Sequence, residues 1–265
     1  MQGPENGGDK LPGGEINVRP SPRDKREHGR VYRWFDNFWY HHKWKTFIAL
    51  FLVVVILVCV LQMCQKEESG DITVLLAGPY GFSDEAAYNN LRNALSLSVY
   101  LKDYDGNGVS RADLITYTLY SAAQIEALRA RTDENGDPDP VEVNTLSNTK
   151  DYNTYNQYLS TGDTSVLFLD PWLFEELAAK GEYLADLAVL YGAAPQGTVN
   201  DPTGGGRCLG VRLCDTALYR DHNAVQVLPA DTVVCLLGPY FVGKSSKEKE
   251  YQKAVEYYAA LVGVQ

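Results

Sequence analysis

Residues 46–64, TFIALFLVVVILVCVLQMC, form an unbroken apolar run with no charged side chain. At a helical rise of ~1.5 Å per residue they reach roughly 28 Å, close to the ~30 Å hydrocarbon core of a bilayer. A helix packed on a globular core carries a polar stripe. Here the only strongly polar side chain is Gln62, near one end. The run is therefore expected to span a membrane, and its flanks to lie in different solvents.

Charge sets the expected direction. Residues 1–45 hold nine Lys/Arg against six Asp/Glu, whereas residues 65–265 hold 15 against 28, a net of −13. Arg30, Arg33, Lys43 and Lys45 precede the run, and Glu67, Glu68 and Asp71 follow it. Cationic flanks stay cytoplasmic, so the N-terminus is expected inside and the long C-terminal part in the extracytoplasmic cell envelope. Trp34, Phe35, Phe38, Trp39, Tyr40 and Trp44 suit an interfacial aromatic belt, with His41 and His42 an interfacial pair. A cleaved signal peptide would have a shorter apolar region behind a short basic start. Residues 61–64, LQMC, match a bacterial lipobox only in part, because Met63 stands where a small residue belongs. A permanent single-pass anchor is the expectation.

Residues 1–30 are Gly/Pro-rich and charged, with too little apolar surface to fold, and are expected to be a disordered cytoplasmic tail. Residues 31–45 form the juxtamembrane segment and 65–70 a linker. Residues 71–265 are long enough for one domain with its own core. Apolar runs at 72–78 (ITVLLAG), 114–120 (LITYTLY), 165–169, 211–213 and 231–237 read as strands. Helical patterns open at Ser83, with Ala86, Leu91, Ala94, Leu95 and Val99 on one face, and cover 122–131, 151–159, 171–180 and 246–262. Uniformly apolar strands separated by helices predict an α/β domain with a mainly parallel sheet and helices on both faces.

The stretch 151–187, DYNTYNQYLSTGDTSVLFLDPWLFEELAAKGEYLADL, carries a resemblance. Its Ser160-Thr161-Gly162-Asp163 turn, the apolar strand 166–170 ending in Asp170, and the following helix look like the first lobe of type 2 extracellular solute-binding proteins. These are receptors of ABC importers. The resemblance spans roughly residues 72–187 and implies an extracytoplasmic, non-enzymatic binding fold, with an ABC permease or another envelope protein as partner. With 78 residues after Leu187, no full second lobe is expected.

Ligands of open α/β sheets lie beyond the carboxyl ends of the strands. That rule nominates Tyr80, Ser121, Asp170, Trp172 and Tyr240, because LxGPY recurs at 76–80 and 236–240 between a strand and a helix. Aromatic faces on a polar rim would suit a sugar or peptide. The plainer alternative is that these rings cap the sheet while the prolines turn the chain.

Residues 238–245, GPYFVGKS, match the P-loop pattern, with Lys244 and Ser245 placed to hold phosphate and Mg²⁺ and a Walker-B-like strand ending at Asp170. Only 20 residues follow it, the loop is bulky, and the expected location is outside the cell, so nucleotide binding is the lesser reading. Residues 103–108, DYDGNG, begin like a calcium loop, with Asp103, Asp105 and Asn107 as oxygen ligands. The twelfth position is Leu114, and an ordinary turn has the same composition.

Cys208, Cys214 and Cys235 lie in the outer part. Cys208 and Cys214 flank one strand too widely for a disulfide, and a bridge to Cys235 stays open. His222 is the one outer histidine, with no nucleophile motif around it. The chain is thus expected to bind a ligand or envelope component without catalysis, resident cofactor or nucleic-acid partner. A P-loop-type nucleotide-binding protein and a purely structural interaction module are the alternatives.

Overall fold

The computed structural model describes residues 30–64, 70–82, 84–97, 99–181, 183–239 and 245–264, and the chain divides into two compact units, 1–67 and 68–265. The expected tail, 1–29, and the linker residues 65–69 lie outside the described residues.

In the first unit, α1 (Arg30–Cys64) is one continuous helix of 35 residues. Its segment His42–Val60 has a mean hydropathy of 2.3, is long and apolar enough to cross a membrane, and buries none of its length against protein. Phe47, Ile48, Phe51, Ile56 and Leu57 are all exposed, which in water would be costly. Thr46 donates to the His42 carbonyl at 3.0 Å, so its hydroxyl needs no water. Aromatic pairs follow the helical spacing, with Trp39 edge-on to Phe47 at 5.5 Å and Phe38 beside His42 at 5.2 Å.

In the second unit the chain runs through β1 (Ile72–Gly78), α2 (Glu85–Leu95), β2 (Ala112–Thr118), α3 (Ala122–Arg129), α4 (Thr145–Thr161) and β3 (Val166–Leu169). It continues through α5 (Pro171–Ala179), α6 (Leu187–Tyr191), β4 (Thr198–Asn200), β5 (Cys208–Arg212), α7 (Ala217–Asp221), β6 (Val233–Leu236) and α8 (Ser245–Val262). The six strands form one open sheet in the order β2-β1-β3-β6-β5-β4.

The sheet is mixed, which corrects the mainly parallel expectation. β1 pairs in parallel with β2 and β3, but β6 runs antiparallel to β3 and β5, and β4 antiparallel to β5. The cause of the error is specific. β6 is buried at every position, as is β5 up to Arg212, and a strand covered on both faces reads as a continuous apolar run whichever way it points.

Alternation along the strands divides the core into two layers. Val74, Leu76, Val166, Phe168, Val234 and Leu236 face one side, where α2, α7 and α8 pack with Leu91, Leu95, Leu218, Tyr257 and Tyr258. Leu75, Ala77, Leu167, Leu169, Val233 and Cys235 face the other, where α4 and α5 contribute Tyr155, Leu159, Phe174 and Leu177. Helices therefore cover both faces.

Helix starts follow their caps. The Asp84 carboxylate accepts from the Ala87 N–H at 2.7 Å, so α2 begins there; Ser83 lies outside the described residues. α2 ends at Leu95, and both Ala86 and Val99, expected on its buried face, are exposed. α4 starts at Thr145, before the expected 151, because Asn144 accepts from the Ser147 N–H at 3.0 Å. It ends at Gly162, whose φ of 67° is the left-handed cap that a side chain would resist.

Candidate functional site

The carboxyl ends of β1, β2 and β3 meet along one rim. β1 ends at Gly78, where the chain turns through Pro79 and brings the Tyr80 ring back over the glycine. A Cβ on Gly78 would stand 2.6 Å from that ring and 2.8 Å from the Asp170 Cβ. Tyr80 is only 8% exposed, and its hydroxyl meets the Thr232 hydroxyl at 3.0 Å. Burial pushes the phenol's pKa well up, so it stays protonated. Tyr80 thus closes the end of the sheet and offers little ring face to a ligand.

Ser121 follows β2 and caps α3. Its hydroxyl accepts from the Gln124 backbone N–H at 3.2 Å, while the Gln124 side-chain Oε1 accepts from the Ser121 backbone N–H at 2.8 Å, a reciprocal capping box. The other end of the Gln124 amide donates to Asp170 at 3.2 Å. Asp170 follows β3 and caps α5, accepting from the Trp172 N–H at 3.1 Å, with Pro171 at the first helical position. Burial raises the Asp170 pKa against these hydrogen bonds, with Asp231 adding a smaller push in the same direction.

Trp172 is half-buried, and its ring stacks on Tyr152 with centroids 6.2 Å apart. Tyr152 in turn donates its hydroxyl to the Glu176 carboxylate. The Trp172 indole N–H is buried and has no hydrogen-bond partner. Such a donor normally finds one, so this N–H is the unused polar group of the rim. Ser121 and Asp170 are therefore linked through Gln124, and Asp170 in turn takes the Trp172 backbone N–H, with Tyr80 packed beside it. Gln124 and Thr232 escaped the sequence reading. Gln124 could have been found as the third residue of a capping box, whereas nothing local marks Thr232.

The position of Tyr240 lies outside the described residues. Because β6 runs antiparallel to β3, its carboxyl end meets the start of β3: the Leu237 N–H donates to the Ser165 carbonyl at 2.8 Å. Gly238 and Gly78 therefore leave the sheet at opposite edges. The same reversal carries Gly238, the first residue of the P-loop-like segment, to the edge opposite the Walker-B-like Asp170. β6 precedes this segment and α8 begins at its last residue, Ser245, but residues 240–244, including Lys244, are outside the described residues.

The DYDGNG segment is a turn tied by its own side chains. The Asp103 carboxylate accepts from the Gly106 and Gly108 N–H groups, each at 2.7 Å, and these bonds lower its pKa. Asn107 donates to Asp105 at 2.9 Å and accepts from the Val109 N–H at 2.8 Å. Asp71, at the edge of β1, accepts from the Tyr104 N–H at 2.8 Å and the Arg111 N–H at 3.0 Å. Carboxylate oxygens of Asp71, Asp103 and Asp105 lie within 4.8 Å of one another, the group that could hold a hard cation. Asp71 was invisible to a reading confined to the loop. Asp113, the nearest carboxylate to the twelfth position, instead accepts from the Gly70 N–H at 2.7 Å and pairs with Arg111.

The outer cysteines are free thiols. Cys208 packs on one face of the sheet and Cys235 on the other, which closes the alternative of a bridge between them. Complete burial pushes the Cys235 pKa far up, so it stays a protonated, inert thiol. His222 ends α7 with its ring edge-on to Tyr100 at 5.5 Å.

No family model, curated protein or solved structure matches the chain.

Proposed function

We propose that this chain is a single-pass, membrane-anchored domain of the extracytoplasmic envelope that binds a ligand or another envelope component and performs no catalysis. The likeness to the first lobe of type 2 solute-binding proteins, and a sugar or peptide as ligand, belong to this proposal. The observation that carries it is the rim formed by Ser121, Gln124, Asp170 and Trp172 at the carboxyl ends of parallel strands, where the Trp172 ring is only half-buried. The half-buried Trp172 ring gives a sugar or peptide an apolar face to cover. The local order also supports it: α4, a Thr161-Gly162-Asp163 turn, β3, Asp170 and α5 follow one another as the resemblance implies. The exposed apolar stretch of α1 and the charge asymmetry around it support the anchor.

The test is thermal-shift screening of the full chain in detergent micelles against oligosaccharides, peptides and nucleotides. Stabilisation by a sugar or peptide that is lost in Trp172→Ala supports the reading. Stabilisation by nucleotides alone, lost in Lys244→Ala, would replace it with the P-loop alternative.

A further inference from the structure

The amino end of the apolar segment of α1 carries positive charge with no helical counter-charge. Lys43 and Lys45 stand at the start of His42–Val60, and both are exposed. Carboxylates three or four positions away would be their partners along the helix, but the chain has no Asp or Glu between Asp36 and Glu67. Both charges are therefore left for something outside the helix.

The two lysines differ in their surroundings. Trp39, Lys43 and Phe47 follow one another at intervals of four residues and so share one stripe of α1. Trp39 and Phe47 lie ~12 Å apart along the axis. Their rings nonetheless meet edge-on, with centroids 5.5 Å apart. The rings thus lean toward each other along the stripe and close over the turn that carries Lys43. Lys45 is two positions further on, about 200° around the helix. On that side the Phe38–His42 pair, at 5.2 Å, lies wholly before it.

An ammonium beside an aromatic surface, at the edge of an apolar span, matches a phospholipid in both of its parts. The headgroup phosphate takes the charge, and the boundary between glycerol and acyl chains covers the rings. A zwitterionic lipid brings a cation of its own to the same place, whereas an anionic lipid does not. The cytoplasmic leaflet, where the charge asymmetry directs this end of α1, is the one with a negative surface.

We propose that the Trp39–Lys43–Phe47 stripe binds the headgroup of an anionic phospholipid, with Lys43 paired to the phosphate and the joined rings packed on the glycerol and first acyl carbons. The site rests on the reading of α1 as a membrane span. It is independent of the carboxyl-end rim.

The experiment is native mass spectrometry of the full chain in detergent micelles, titrated with equal amounts of phosphatidylglycerol and phosphatidylcholine. The first lipid retained should be phosphatidylglycerol by about 5-fold, the size of one lysine's attraction to an anionic lipid surface. Lys43→Gln should bring that preference close to parity, whereas Lys45→Gln should keep most of it. Flotation of the parent and both variants with phosphatidylcholine vesicles on a density gradient reads the span separately, and all three should float. Equal retention of the two lipids by a parent that floats would overturn the site and leave the span intact. So would equal losses of preference in Lys43→Gln and Lys45→Gln, which are the mark of diffuse charge. A parent that fails to float would contradict the span itself, and the site with it.

Discussion

The hydroxyls of Tyr80 and Thr232 meet at 3.0 Å and tie the turn after β1 to the residue preceding β6, 152 positions along the chain. Thr232 is fully buried and Tyr80 nearly so. Removing one partner strands the other, so Tyr80→Phe or Thr232→Val alone should each cost ~1–3 kcal/mol. The double variant should recover most of that loss. A urea-unfolding double-mutant cycle reads the coupling directly, and strictly additive losses would show that the two hydroxyls do not depend on each other.

Gly78 controls the same corner by size. A methyl group there would press on the Tyr80 ring at 2.6 Å and the Asp170 Cβ at 2.8 Å, and neither neighbour is free to swing away. Gly78→Ala should therefore destabilise the domain by ~1–3 kcal/mol through overpacking. Nuclear magnetic resonance shifts should concentrate at Tyr80, Asp170 and Trp172. An unchanged melting temperature would mean that the corner is looser than these distances imply.

The limits of sequence reading are visible at this corner. Apolar runs marked β1, β2, β3 and β6, and Asp170-Pro171 marked the start of α5, because burial and capping are written locally. The direction of β6 is not local: an apolar run is the same forwards and backwards. Gly238-Pro239 therefore looked like a twin of Gly78-Pro79 although the two lie at opposite edges of the sheet. Asp71 was missed beside the Asp103 turn for the same reason, since its place there depends on the pairing of β1 with β2. α4 began early because Asn144 caps a polar stretch in which only Tyr155 and Leu159 are buried, too few to show a period.

Two carboxylates should give opposite pH signatures. Asp201 is held to a pKa of about 2 by the Thr203 hydroxyl and N–H and by Arg207, whose guanidinium approaches to 2.6 Å. A depressed folded value means stability that is present above the unfolded value of ~3.9 and lost as pH falls from there toward 2. Asp170 is raised by burial, so its contribution is largest when it is protonated and declines as pH climbs through its elevated folded value. Melting curves from pH 2 to 7 should flatten at the acid end in Asp201→Asn and just above the ordinary carboxylate range in Asp170→Asn. Identical pH profiles for both variants and the parent would contradict the assignments.

Asp71 should act as the clamp of the acidic turn. Its carboxylate takes the Tyr104 and Arg111 N–H groups, and truncation leaves both without a side-chain partner. Asp71→Ala should cost ~1–3 kcal/mol and speed amide hydrogen exchange at those two residues. If exchange at Tyr104 and Arg111 is unaltered, the turn is held by its internal bonds to Asp103 and Asp105 alone.

Trp172 is the one tryptophan outside α1, the others being Trp34, Trp39 and Trp44. In the full chain carrying phenylalanine at those three positions, its emission reports the rim and nothing else. Titration of this protein in detergent with oligosaccharides and peptides tests the binding account most directly. The account predicts that a member of one class shifts Trp172 emission saturably, and that Gln124→Ala, which removes the amide tethering Asp170, weakens the response. Emission that stays constant across both classes, in protein whose circular dichroism shows the folded domain, would contradict it.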